Sequence, residues 1–197
     1  MSLFVKICGI SDHEAAKAAV SSGVDAVGFV FSTSPRQVTP HEALSIAGEL
    51  APEVLRVAVF RRPGRDDIER VLDEFTPDLV QADHDTLDGI RGIAVLPVFR
   101  DDGRHTPAGG RFLYEGPVSG VGRLVDLSRA TSVARVGEMI LAGGLRPDNV
   151  GGAITTVRPF GVDVSSGVER SPGSKDPALI RSFVAAVRGA EERLVNA

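Results

Sequence analysis

A short apolar or β-branched run recurs eight times along this chain, each ending in a turn of small or polar residues, and most lead into a stretch with helical character. The runs are Phe4–Cys8, Ala26–Phe31, Leu55–Phe60, Leu79–Gln81, Ile93–Phe99, Arg111–Tyr114, Met139–Ala142 and Gly161–Val164. Near-continuous apolar character over so few residues suits strands buried on both faces of a parallel sheet. Between them, Asp12 is placed to cap a helix reaching Ser21, and Pro40 opens another ending near Leu50. Asp66–Phe75 is a third, Asp126 or Ser128 caps one near Ala134, and Pro147–Val157 and Asp176–Val195 complete the set. Pro40, Pro147 and Pro177 fall at helix starts, where a missing N–H costs nothing.

Strands alternating with helices imply a parallel α/β fold, closed as a barrel or open and doubly wound. Eight regularly spaced units favour a (β/α)8 TIM barrel. The stretch 100–110 carries too much Gly, Pro and Asp for a helix, and Asp85–Arg91 is short for one. The barrel is therefore expected with helix 5 missing and helix 4 shortened. With 197 residues, 43% of them hydrophobic, the chain can bury a core, and 1–197 reads as one domain.

A formal net charge of -4 and the lack of a basic arm argue against a nucleic-acid partner. No apolar run reaches the roughly 18 residues that cross a membrane. The first residues lack a signal-peptide pattern, so a cytoplasmic location is expected. Cys8 is the single cysteine, which excludes an internal disulfide. The four histidines show no metal-ligand spacing with one another or with Cys8, and no Walker-type loop or dinucleotide fingerprint occurs. Neither a metal nor an organic cofactor is expected.

Barrel active sites lie at the C-terminal ends of the strands. After strand 1, Lys6 and Cys8 share parity. They read either as core residues or, if Cys8 faces the mouth, as a thiol whose pKa a nearby cation lowers to make a base. Arg36, after strand 2, is either solvated or suited to bidentate capture of a carboxylate. Gly143-Gly144 after strand 7 and Ser165-Ser166-Gly167 after strand 8 are small, as turns require and as a phosphate site at this end of a barrel also requires. Glu115 ends strand 6, roughly across the barrel from strand 1, before a Gly-rich stretch to Gly122 long enough to form a lid.

Taken together, these segments resemble the phosphoribosylanthranilate isomerase family through almost the whole chain. The matching pieces are Lys6-Ile7-Cys8-Gly9-Ile10, Ala26–Phe31 followed by Ser34-Pro35-Arg36, Val57–Phe60, Val80-Gln81, Leu141–Val150 and Gly161–Glu169, with Pro172-Gly173 and Lys175-Asp176 after it. The resemblance implies an Amadori rearrangement in tryptophan biosynthesis. N-(5'-phosphoribosyl)anthranilate is opened by an acid at the ribose ring oxygen. A base then removes the C2' proton, and the enolamine tautomerises to 1-(2-carboxyphenylamino)-1-deoxyribulose 5-phosphate.

Carried over residue by residue, the resemblance makes Cys8 the base and Arg36 the holder of the anthranilate carboxylate. It makes Gly143, Gly144, Ser165, Ser166 and Gly167 the phosphate cradle. Asp163 contacts the sugar hydroxyls or pairs with Lys6. The sequence departs from the family pattern on strands 4 to 6. Glu115 stands where the family has an aspartate acid, with Asp126 the second candidate acid or a helix cap. Gln81-Ala82-Asp83-His84 stands where the family has Gln-Leu-His-Gly. The implied partner is a small-molecule phosphosugar, and the chain is a monomer or a homodimer. Two other readings stay open: a bifunctional barrel that also serves a histidine-pathway phosphosugar, and a non-catalytic phosphosugar-binding barrel.

Overall fold

In the computed structural model, which describes residues 2–118 and 122–195, eight parallel strands close on themselves in chain order. They are β1 (Phe4–Cys8), β2 (Ala26–Val30), β3 (Leu55–Val59), β4 (Leu79–Asp83), β5 (Ala94–Arg100), β6 (Arg111–Glu115), β7 (Glu138–Leu141) and β8 (Gly161–Val164). The closing pair is β1 with β8, with Lys6 opposite Asp163. Helices α1 (His13–Ser21), α2 (Pro40–Ala47), α3 (Arg65–Glu74), α4 (Leu127–Val133), α5 (Val150–Val157) and α6 (Pro177–Val195) lie between and after them. A short hairpin, β9 (Glu169–Ser171) with β10 (Ser174–Lys175), sits between β8 and α6.

Local chemistry sets the helix ends. Asp12 accepts the Ala15 N–H at 2.8 Å, and Thr39 with Glu42 forms a capping box ahead of Pro40. Asp176 accepts the Ala178 N–H at 2.8 Å ahead of Pro177. The start expected at Pro147 is corrected: α5 begins at Val150. Asn149 accepts the Arg146 N–H at 2.7 Å and donates to the Gly144 carbonyl at 2.9 Å, which folds Pro147 into a turn before the helix. α6 buries Ile180, Phe183, Val184 and Val187 at helical spacing, each contributing roughly 1.5–3 kcal/mol.

Helix 5 is absent, as expected: between β5 and β6 the described chain is turn and coil. Helix 4 is reduced to one 3-10 turn, His84–Thr86. His84 stacks on Phe99 at 4.6 Å between ring centres, and His105 lies 4.5 Å from His84, so this loop packs over Phe99 on the outer face of β5, while Val95 on that face stays exposed.

Side-chain alternation divides the core in two. Residues of one parity pack outward under the helices in a large apolar cluster including Ile7, Phe29, Val80, Phe112 and Val162. Residues of the other parity fill the barrel. Leu96, Val98, Leu113 and Ile140 form one side, and Ala26, Val57 and Val59 the other. Strand registers carry the same parity to Lys6, Cys8, Gln81, Asp83, Arg100, Glu115 and Asp163. The interior therefore changes from apolar to polar toward the C-terminal ends of the strands.

Candidate active site

That polar end opens into a cavity of about 650 Å³. Cys8 from β1, Arg36 from the loop after β2, Gln81 from β4, Arg100 from β5, Glu115 from β6 and Asp163 from β8 all line it, with Ser165, Ser166 and Glu169. The structure thus gathers into one space the thiol, the arginine and the acid that lie far apart in sequence.

Below Cys8, the Lys6 ammonium is wholly buried and donates to Asp163 Oδ1 at 2.7 Å. Burial alone would pull Lys6 down, but the charges of Asp163 and Cys8 and hydrogen bonds to both hold it above the ordinary lysine value. Gly28 makes room for this cluster: a methyl group there would lie 3.1 Å from Cys8 Sγ and 3.2 Å from Lys6 Nζ. The Lys6 cation pulls the Cys8 pKa down, as the second reading of Cys8 required, but the net shift is upward. Burial pushes the thiol up and Asp163 adds to it, outweighing the downward pull of Lys6 and Lys175. The cation is in place, but in a site dry enough that a thiolate is costly to form.

Arg36 is gripped from the side. Its Nε donates to Glu169 Oε1 at 2.7 Å and its Nη2 to Oε2 at 2.8 Å. Glu169 also receives Lys175 Nζ at 2.7 Å, and that ammonium, 1% exposed, donates to the Ser165 carbonyl at 2.9 Å. Burial works against the Glu169 anion, yet Arg36 and Lys175 outweigh it and hold its carboxyl below the usual range. Lys175 is pulled down by its burial despite Glu169. The Arg36 stem crosses Gly9, whose φ of +75° and missing side chain allow the approach: a methyl group there would meet Arg36 Cδ at 2.6 Å.

Glu115 lies against Arg100, with Nη1 2.6 Å from Oε1, and Arg100 Nη2 reaches Asp83 Oδ1. Gln81 is 6% exposed, and among the described residues its Oε1 finds no hydrogen-bond partner, leaving a buried acceptor on the cavity wall for a ligand or solvent donor. Among the described residues no group of three or more His, Cys, Asp and Glu is placed to hold a metal ion.

The remaining expected site residues are placed differently. Asp126 is exposed and does not line the cavity; its Oδ1 accepts the N–H groups of Ser128 at 2.8 Å and Arg129 at 3.1 Å, capping α4. Gly143 and Gly144 have positive φ and lie beneath the chain's own backbone. A methyl group at Gly144 would come within 2.3 Å of the Leu124 nitrogen, and one at Gly167 within 1.8 Å of the Leu145 carbonyl. These glycines let the turns after β6, β7 and β8 converge beside Ser165 and Ser166. The stretch expected to form a lid includes 119–121, which lie outside the described residues.

Sequence reasoning gave no role to Glu169, Lys175, Gln81 or Arg100. Arg100 had a usable signal: a charge directly after an apolar run, at the end of the strand where barrels place their chemistry.

A sequence model described as N-(5'phosphoribosyl)anthranilate (PRA) isomerase matches residues 5–92 and 99–186. The N-(5'-phosphoribosyl)anthranilate isomerase of Streptococcus pneumoniae (strain Hungary19A-6) is 38% identical over 190 residues, covering 93% of this chain and 95% of the relative. The crystal structure of phosphoribosyl anthranilate isomerase from Thermus thermophilus superposes with a TM-score of 0.86 at 29% identity, covering 95% of this chain and 99% of that one. A phosphoribosyl anthranilate isomerase in complex with reduced 1-(o-carboxyphenylamino)-1-deoxyribulose 5-phosphate gives a TM-score of 0.79 at 34% identity, with coverage of 95% and 99%. Among the described residues, no helix of this chain is long and apolar enough to cross a membrane.

Proposed function

The chain belongs to the N-(5'-phosphoribosyl)anthranilate isomerase family, and from that membership we propose how the residues at its barrel mouth carry the reaction. It is an isomerase of tryptophan biosynthesis that converts N-(5'-phosphoribosyl)anthranilate to 1-(2-carboxyphenylamino)-1-deoxyribulose 5-phosphate. One observation supports the division of roles: Cys8 on β1 and Glu115 on β6 line the same cavity, with Arg36 and the Ser165-Ser166 turn on its rim.

Glu115 protonates the ribose ring oxygen, the C1'–O bond breaks, and the nitrogen lone pair forms the Schiff base. Cys8, as thiolate, removes the C2' proton, and those electrons pass to the C1'–N unit to give the enolamine. Tautomerisation adds a proton at C1' and removes one from the 2'-hydroxyl, giving the ketone. One proton is given and one taken in the enzyme-catalysed steps, so an acid and a base within reach of their atoms suffice.

The other residues bind and orient. Glu169 takes the side-on edge of Arg36, leaving the end-on edge, Nη1 with Nη2, as a second fork for the anthranilate carboxylate. Gly143, Gly144, Ser165, Ser166 and Gly167 hold the phosphate. Asp163 keeps Lys6 beneath Cys8, and that ammonium stabilises the thiolate when it forms. Gln81 Oε1 accepts a hydrogen bond from the substrate. The partner is a small-molecule phosphosugar and the location cytoplasmic.

The direct test is loss of the substrate's anthranilate fluorescence with enzymatically generated phosphoribosylanthranilate. Turnover by the wild type is expected. An inert wild type at high enzyme concentration, with phosphosugar binding retained, would leave a non-catalytic barrel instead.

A further inference from the structure

We infer that Arg100 is the positioning residue for the general acid: held by Asp83, its guanidinium anchors one oxygen of the Glu115 carboxyl and so fixes the direction in which that acid is presented, which rests on the reading of Glu115 as the acid. Arg100 and Glu115 are register partners on adjacent parallel strands and share the interior parity. Arg100 Nη1 lies 2.6 Å from Glu115 Oε1, while Nη2 lies against Asp83 Oδ1 at the end of β4. Asp83 is steadied in turn by Arg62, whose Nη1 is 3.6 Å from Oδ2 and whose Nη2 donates to Asp85 at 2.7 Å. The side chains of Arg100, Glu115 and Asp83 are 18%, 16% and 12% exposed, so the three groups meet where solvent screens them weakly.

A glutamate has one more rotatable bond than an aspartate, and an acid must be aimed within a fraction of an ångström to protonate a ring oxygen. A planar guanidinium bound at both Nη atoms is itself fixed, which a lysine ammonium would not reproduce. A guanidinium is not a proton donor to a ring oxygen, so the effect of Arg100 passes through Glu115. The anion left when Glu115 gives up its proton forms against a cation already in place. The residues at the ends of β4 and β6 that depart from the family pattern, Asp83 and Glu115, are thus joined through one side chain on the strand between them.

The test is a double-mutant cycle on kcat with Arg100→Met and Glu115→Gln, alone and combined, after thermal melting confirms folding. Arg100→Met alone should lower kcat on the order of 100-fold, the scale of an ångström misplacement, with KM within about threefold. In the Glu115→Gln background the same change should lower kcat by less than about threefold, because the group it positions is already gone. Arg100→Lys, which keeps the charge and folds more readily, should recover only part of the loss. Equal losses in both backgrounds, or full activity of Arg100→Met, would overturn the positioning role while leaving Glu115 as the acid. Full activity of Glu115→Gln would remove the acid itself, and the role of Arg100 with it.

Discussion

Arg36 and Glu169, 133 residues apart, form a two-pronged ion pair with Nε–Oε1 at 2.7 Å and Nη2–Oε2 at 2.8 Å, so the rim arginine is oriented by the hairpin that follows β8. A guanidinium held along one edge presents the other at a defined angle. Glu169→Gln keeps the size but loses half of that grip. The expected result is a rise in KM for phosphoribosylanthranilate of about tenfold, close to 1.4 kcal/mol of binding, with kcat within about twofold. Steady-state kinetics checks this, and an unchanged KM would detach Glu169 from substrate binding.

The same carboxylate makes stability depend on acid. The folded state holds the Glu169 pKa below its ordinary 4.5, so the unfolded chain binds that proton more readily. The stabilisation is complete above about pH 4.5 and is lost as pH falls through the depressed folded value. Urea midpoints measured between about pH 6 and pH 3 should fall more steeply for wild type than for Glu169→Gln. Parallel slopes would contradict the pairing.

Lys6 bears on both the fold and the proposed chemistry. Lys6→Met leaves the buried Asp163 carboxylate without its ammonium, at an expected cost of about 3–5 kcal/mol in urea unfolding. It also removes the cation that offsets burial of the thiol. Because the folded Cys8 pKa lies above its ordinary 9.0, alkylation of wild type by iodoacetamide should still be rising with pH at pH 9. Lys6→Met should be alkylated more slowly at every pH below that point. Faster alkylation of the variant would mean that Lys6 does not favour the thiolate.

The strands were legible because each is an apolar run, and β1 and β8 match at both ends, but the C-terminal ends of β4, β5 and β6 were not legible. β4, β5 and β6 run on to Asp83, Arg100 and Glu115, past the last apolar residue of each run. Those three side chains point into the barrel at its polar end, where hydropathy stops tracking the strand while backbone pairing continues. Cys8, Arg36 and Glu115 stood out because strand order places them at the mouth, and Asp163 because of the family resemblance; all four line the cavity. The Arg36–Glu169–Lys175 network was invisible to local patterns, since its partners meet only when the barrel closes. The net upward shift of the thiol was not legible for a related reason: sequence proximity to Lys6 says nothing of how dry the site is.

Asp126 illustrates a choice that local chemistry decides. Its carboxylate is spent on two N–H groups of α4 and lies outside the cavity lining. Asp126→Ala should cost about 0.5–2 kcal/mol of stability and leave kcat within about twofold. A collapse of kcat with a folded protein would make Asp126 the acid in place of Glu115.

The most direct test of the acid–base assignment is the turnover of phosphoribosylanthranilate, followed by loss of anthranilate fluorescence, for wild type, Cys8→Ala and Glu115→Gln side by side. If Cys8 is the base and Glu115 the acid, kcat falls by about 100-fold or more in each variant while both stay folded. Wild-type turnover with either variant near full activity would contradict the role assigned to that residue.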